Sequence, residues 1–91
     1  MKFDFEPGRF YANDEQGNLV AEVSFTVEDE TIFINHTFVN PDYRGRGLAG
    51  KLMLVMIDYA EKQHQQIVPV CSFAQTFFAR NTKYNHLLRR N

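Results

Sequence analysis

Hydrophobic and polar residues alternate along the first two-fifths of the chain, which is the pattern typical of half-buried β-strands. Residues 9–13 form a short run of this kind, and residues 19–27 and 31–39 form two longer ones. In the last run, we expect Ile32, Ile34, His36 and Phe38 to share one face. Turn-forming residues at 14–18 and an acidic turn at 28–30 separate the runs. The pattern therefore predicts antiparallel strands, of which the last two form a hairpin.

The apolar period becomes helical after Pro41 and predicts a helix from about Gly47 to about His64. Residues 67–70 form a short apolar strand, which we expect to leave the sheet near Pro69 because proline cannot donate to a ladder. Residues 73–80 and 83–89 predict two short helices. This order of elements predicts one α+β domain over residues 1–91, with a mixed, mainly antiparallel sheet and a parallel strand pair around the central helix.

Composition and charge exclude several classes of function. The chain has 10 Lys and Arg against 11 Asp and Glu, a net charge of −1, so it has no broad field to collect nucleic acid or an anionic membrane. The longest apolar run is too short to cross a bilayer. Cys71 is the single cysteine, which fits a reducing compartment and predicts a cytoplasmic protein. It has no metal-ligand spacing with His64 or His86, so we expect no metal site.

A glycine-rich turn stands immediately before the predicted central helix. Residues 44–51 read Arg-Gly-Arg-Gly-Leu-Ala-Gly-Lys. Glycines allow a tight turn and a close approach to a ligand, and the free amides at a helix start attract an anion. Arg44, Arg46 and Lys51 add positive charge at the same place. The sequence therefore predicts a site for a pyrophosphate.

Three phosphate-binding motifs match this turn, and the flanking residues separate them. A P-loop requires Ser or Thr after the lysine, where this chain has Leu52. A dinucleotide-binding fold requires an acidic residue after the next strand, and that strand ends at Val70 and Cys71. The third motif, Arg44-x-x-Gly47-x-Ala49, is the signature of acetyl-CoA-binding acetyltransferases.

Residues 36–49 resemble the strand, turn and helix of the GNAT acetyltransferase superfamily. Residues 68–73, followed by Phe77-Phe78 and Lys83-Tyr84, resemble its small YjdJ-type branch, and the likeness extends over residues 18–88. The resemblance implies a three-layer, GNAT-like α/β fold and an acetyl group carried from acetyl-CoA to an amine on a small molecule, peptide or protein. Larger members insert helices between their first two strands, whereas this chain has a short turn, so we expect an acceptor site that is open or is completed by a partner or a second copy.

The resemblance also implies where coenzyme A would bind. In the superfamily two adjacent parallel strands splay apart, and the pantetheine arm enters the gap. The backbone of Phe38 and Val39 would then meet pantetheine, and Asn81 would bond the same arm unless it only breaks and caps the helices. The pyrophosphate would lie on Arg44, Gly45, Arg46, Gly47, Leu48, Ala49 and Gly50.

Three residues are candidates for the chemistry of acetyl transfer. Cys71 follows the splayed strand and is either a nucleophile activated by the next helix or an inert thiol. His36 is a candidate general base, although a histidine on an apolar strand face is more often a hydrogen-bonded core residue. Tyr84 falls where many superfamily members present a tyrosine that protonates the coenzyme A thiolate; the alternative, which we favour, is a packing role.

Two other functions remain open. The first is a non-catalytic module that binds coenzyme A or acyl-CoA, which would fit an intact phosphate turn beside a missing acceptor wall. The second, an RNA-contacting loop at residues 44–47, is disfavoured by the charge balance. An exposed sheet edge makes a weak homodimer an alternative to a monomer.

Overall fold

A computed structural model describes residues 2–89 of the chain. They contain a five-stranded sheet in which the strands follow one another in chain order. All neighbouring strands are antiparallel except the last two, which are parallel. The strands are β1 (Asp4–Glu6), β2 (Arg9–Asn13), β3 (Leu19–Glu28), β4 (Thr31–Val39) and β5 (Gln66–Pro69).

Two α-helices follow the antiparallel part of the sheet, α1 (Leu48–Gln63) and α2 (Ser72–Arg80). Gly47 and His64 cap α1 in left-handed conformations, so the predicted ends of this helix are confirmed. Two 3-10 helices, Pro41–Tyr43 and Thr82–Leu87, were not predicted as such. Strand β1 was also missed, because three residues are too few to reveal a period.

The helices pack on one face of the sheet. Alternate residues of the central strands, among them Val23, Ile32 and Ile34, are fully buried there in one cluster with α1 and α2. The other face, which we call the open face, carries the residues paired across β2, β3 and β4 at the intervening positions. None of its central side chains is buried: Tyr11, Glu22, Ser24, His36 and Phe38.

This arrangement confirms the α+β, GNAT-like fold class with one difference. Of the three layers expected, residues 2–89 contain two, a sheet and one helical layer. The reason is the connection between β2 and β3, which is a turn at residues 14–18. Gly17 has a φ of 86° in this turn, and Asp14 Oδ1 accepts from the amides of Gln16 and Asn18.

A β-bulge in β4 changes which side chains face the core. Phe25 pairs with Ile34 and the preceding residue, Ser24, pairs with His36, so Asn35 is an extra residue in β4. The alternation therefore shifts by one position after Ile34. The prediction that His36 and Phe38 share a face with Ile34 is wrong: both lie on the open face, and His36 is exposed.

Within residues 2–89, no helix is both long enough and apolar enough to cross a bilayer.

Candidate functional site

The glycine-rich turn is held in place from the sheet side. Asn40, which directly follows β4, donates from Nδ2 to the carbonyl of Leu19 (3.1 Å) and accepts at Oδ1 from the amide of Asp42 (3.0 Å). The second bond caps the 3-10 helix that leads into the turn. Gly45 and Gly47 then adopt φ values of 83° and 72°, which only glycine reaches without strain. The turn is thus preformed by its own backbone.

The amides of this turn are free to bind an anion. The first hydrogen bond of α1 runs from Lys51 N to Gly47 O (3.1 Å), so the amides of residues 48–50 precede the helical ladder. Those of Gly45, Arg46 and Gly47 donate to no acceptor within residues 2–89. Together with the positive end of the α1 dipole, they present unpaired donors and positive potential, which favour an anion.

Three cations surround the turn. Arg44, Arg46 and Lys51 are all exposed. Across the described chain, none of the three has a carboxylate oxygen within 4.0 Å. The guanidinium of Arg46 lies over the ring of Tyr43, 5.1 Å from its centroid, so this arginine has an aromatic contact and a free charge.

The parallel strands separate beside this turn. They pair from Thr31 opposite Gln66 to Ile34 opposite Pro69. At the point of separation, the carbonyl of Ile34 accepts from the amides of both Val70 and Cys71, each at 3.0 Å. Strand β4 continues to Val39 beside β3 but no longer beside β5, so a gap opens between its free side and the start of α2.

Backbone alternation decides which groups of β4 face the gap. Asn40 N donates to Val20 O in β3 (2.8 Å), and Val39 is paired opposite Ala21. This pattern turns the N–H and C=O of Val39 away from β3 and into the gap. The backbone groups of Phe38, one residue earlier, point to β3 instead. Of the two residues predicted to meet pantetheine, the geometry favours Val39.

The gap and the turn share one cleft. Its volume is about 420 Å³, and its walls are the end of β4, the turn and the start of α2. The side chain of Leu48 is buried in the core, so this residue offers the cleft mainly its backbone. The lining residues are Val39, Tyr43, Arg44, Gly45, Gly47, Leu48, Ala49, Gly50 and Phe73.

Cys71 lies where the strands separate. It is the half-buried N-cap of α2, and its Sγ is 3.4 Å from Oγ1 of Thr37 in β4. Sequence reasoning missed Thr37, because a regular alternation would have put it on the face opposite Ile34. Two consecutive polar residues, Asn35 and His36, inside an apolar strand were the signal of a bulge that could have revealed it.

The other predicted residues occupy separate positions. His36 is on the open face, so the favoured prediction of a hydrogen-bonded core histidine is wrong. The ring of Tyr84 stacks on that of Phe77, with centroids 6.3 Å apart, which accords with a packing role. Asn81 donates from Nδ2 to the carbonyl of Phe77 (2.8 Å) and ends α2. Residues 2–89 contain no cluster of three or more His, Cys, Asp or Glu suited to a metal.

The sequence matches a family model of GCN5-related N-acetyltransferases over residues 9–87. The chain belongs to this family. A search of curated protein sequences finds no match. The matched range includes the glycine-rich turn and both parallel strands.

Several solved structures of acetyltransferases are similar to the chain. A GCN5-like protein from Staphylococcus aureus superposes with a TM-score of 0.80 at 25% identity, over 99% of this chain and 89% of its own. The ribosomal-protein-S18-alanine N-acetyltransferase of Escherichia coli gives 0.66 at 20% identity, over 86% of this chain and 54% of its own. YhbS of Escherichia coli, solved in complex with CoA, gives 0.63 at 19% identity, over 84% and 43%. The chain therefore spans about half of these two larger proteins.

Proposed function

We propose that the protein is an acetyl-CoA-dependent N-acetyltransferase whose acceptor is an amine on a small molecule, peptide or protein. The observation that carries the proposal is the cleft of about 420 Å³ in which unpaired amides of residues 45–50 adjoin the gap between the end of β4 and the start of α2. Amides and cations at one end fit a diphosphate, and the backbone of Val39 fits the amide-bearing pantetheine arm. Family membership supports the same cofactor.

The chemistry requires a deprotonated amine and a polarised thioester carbonyl. We assign His36 as the general base, since it lies on the open face, from which an acceptor can approach the gap. The hydroxyl of Tyr84, whose ring packs on Phe77, is the candidate that this mechanism offers for returning a proton to the departing thiolate. Asn81, at the end of α2, is proposed to contact the pantetheine arm through its amide oxygen.

Calorimetry with coenzyme A tests the cofactor, and single-turnover transfer tests the reaction. We expect saturable binding that weakens as salt rises, because phosphate charge contributes to it. Absence of binding would overturn both the enzyme and the alternative, a non-catalytic coenzyme A or acyl-CoA module. The open face favours that alternative, since no described element forms an acceptor wall over it. Binding without transfer to a panel of amines and peptides would establish it.

Acetylation of Cys71 would indicate that acetyl transfer follows a covalent route. The thiolate would attack the acetyl carbonyl and expel the thiolate of coenzyme A, and the amine would then attack the acetyl-cysteine and release Cys71. We expect incubation with acetyl-CoA to add one acetyl group at Cys71, detected by peptide mass spectrometry. Cys71→Ala should abolish the label and Thr37→Val should slow it, while both variants keep coenzyme A affinity. An unlabelled Cys71, with Cys71→Ala as active as the parent, would leave direct attack by the amine.

His36→Gln tests the general base. We expect kcat to fall about 100-fold or more, in the range of a lost general base, while the Kd for coenzyme A is unchanged. Because the side chain is exposed, the substitution should leave the thermal unfolding midpoint within about 4 °C of the parent. His36→Gln with unchanged kcat and an unchanged pH–rate profile would remove His36 from the mechanism.

Finer assignments follow from the same proposal. We infer that the protein belongs to the small YjdJ-type branch, which the five-residue turn at 14–18 supports. We place it in the cytoplasm, which the lone Cys71 supports. We propose a monomer or a weak homodimer, and sedimentation velocity over a concentration series checks this.

A further inference from the structure

The open face presents two rows of side chains that cross the sheet. One row runs from Asp4 through Tyr11 and Glu22 to Phe38, each paired with the next across neighbouring strands. Tyr11 and Phe38 are half-buried, so part of each ring remains accessible. Rings that retain accessible area beside carboxylates can pack against an incoming chain. The second row contains Glu6, Arg9, Ser24 and His36.

These rows already hold one cation. The Nη1 of Arg9 lies 3.1 Å from Glu6 Oε1, and its Nε lies 2.9 Å from Glu22 Oε2. The same guanidinium is 3.7 Å from the centroid of the Tyr11 ring. Glu6, Glu22 and the Tyr11 ring therefore engage the guanidinium of Arg9, which shows how this face binds a positive group.

Negative charge lies on the open face, and free positive charge lies around the glycine-rich turn. The two rows carry three carboxylates, Asp4, Glu6 and Glu22, against the single guanidinium of Arg9. Asp4 is exposed and has no cation within 4.0 Å in the part of the chain described. The free arginines and lysine surround the turn at residues 44–51 instead. The open face is thus suited to a positive partner, and phosphate groups would be repelled there.

We propose that the open face is a docking surface for a cationic, lysine-bearing protein segment. The inference rests on the proposed function for its catalytic consequence, the delivery of the lysine amine to the gap past Phe38 and His36. Binding itself depends only on the face. The commitment to a protein segment follows from the breadth of the surface, which extends over four strands and offers two rings, Tyr11 and Phe38, in one row.

NMR titration tests the surface directly. The probe is a 12-residue peptide of alternating Lys and Gly, and the control is the same peptide with Glu for Lys. We expect the lysine peptide to shift amide signals of Tyr11, Glu22, Ser24 and Phe38, with the shifts weakening as salt rises, and the glutamate peptide to shift none of them. Shifts confined to α1, α2 or the glycine turn would overturn the proposal.

A matched pair of charge reversals sharpens this test. Asp4→Lys reverses a charge on the open face, and Glu15→Lys makes the same change at an exposed position in the turn before β3. We expect Asp4→Lys to raise the Kd of the lysine peptide about three- to tenfold and Glu15→Lys to change it less than twofold. Equal effects of the two would contradict docking at the open face. Asp4→Asn gives a milder change should Asp4→Lys fail to fold.

A separate measurement of coenzyme A binding distinguishes failure of this proposal from failure of the proposed function. Calorimetry on the same samples should show that the parent, Asp4→Lys and Glu15→Lys bind coenzyme A with the same affinity. If the peptide binds the open face but coenzyme A does not bind, the proposed enzyme fails and the docking surface stands. If coenzyme A binds and the lysine peptide leaves the open face unshifted, the docking surface fails alone.

Discussion

Gly47→Val should weaken coenzyme A binding about 100-fold. Gly47 is the N-cap of α1 at a φ of 72°, where a β-branched residue is strained. Apart from the adjoining residues, an added Cβ would have no atom within 4 Å, so the new side chain would project into the space assigned to the diphosphate. Displacing the phosphate from one or two amides, at about 1.5–3 kcal/mol for each charged hydrogen bond, corresponds to a loss of this size. Calorimetry with coenzyme A measures it.

Gly17 provides a control, because it has a similar positive φ but lies in the turn between β2 and β3, away from the cleft. Its φ is 86°, and an added Cβ would likewise meet no atom within 4 Å. Gly17→Val should therefore cost a similar amount of stability, about 1–2 kcal/mol, and leave the coenzyme A affinity unchanged. The difference in affinity between the two variants isolates the ligand contribution from strain. Equal affinities would show that the turn before α1 does not hold the cofactor.

The predictability of α1 has a local physical cause. A glycine at its start and a helical apolar period are properties of neighbouring residues, so the sequence alone located both ends of the helix within one residue. The same holds for the turn that would bind the diphosphate, because free amides follow from the start of any helix. The start of α1 and its free amides could therefore be predicted from the sequence, and their role in holding a diphosphate stays a prediction.

The faces on which the side chains of β4 lie could not be predicted in the same way. An alternating pattern fixes faces only while every residue is paired, and the extra residue Asn35 depends on the partner strand β3. That one residue moved His36 from the expected core to the open face and brought Thr37 to within 3.4 Å of Cys71. Long-range pairing decides such details.

Deleting Asn35 should alter the gap between β4 and α2 without unfolding the domain around it. Without the bulge, His36 follows Ile34 directly, and each remaining side chain of β4 keeps its present face. The deletion removes one exposed hydrogen bond, from Asn35 Nδ2 to Thr26 Oγ1 (3.1 Å). We therefore expect the variant to fold, with a free energy of unfolding within about 1 kcal/mol of the parent.

The gap itself should close in this variant. A bulge bends its strand and increases the local twist, and here it coincides with the carbonyl of Ile34, the last group of β4 bonded to the chain after β5. A straightened β4 should run alongside the start of α2. The N–H and C=O of Val39 would then bond to that segment and would no longer be available to pantetheine. Losing two neutral hydrogen bonds to pantetheine, at about 1 kcal/mol each, corresponds to coenzyme A binding about 30-fold weaker. Asn35→Ala keeps the bulge residue and should bind like the parent; if the deletion also binds like the parent, the bulge does not create the pantetheine site.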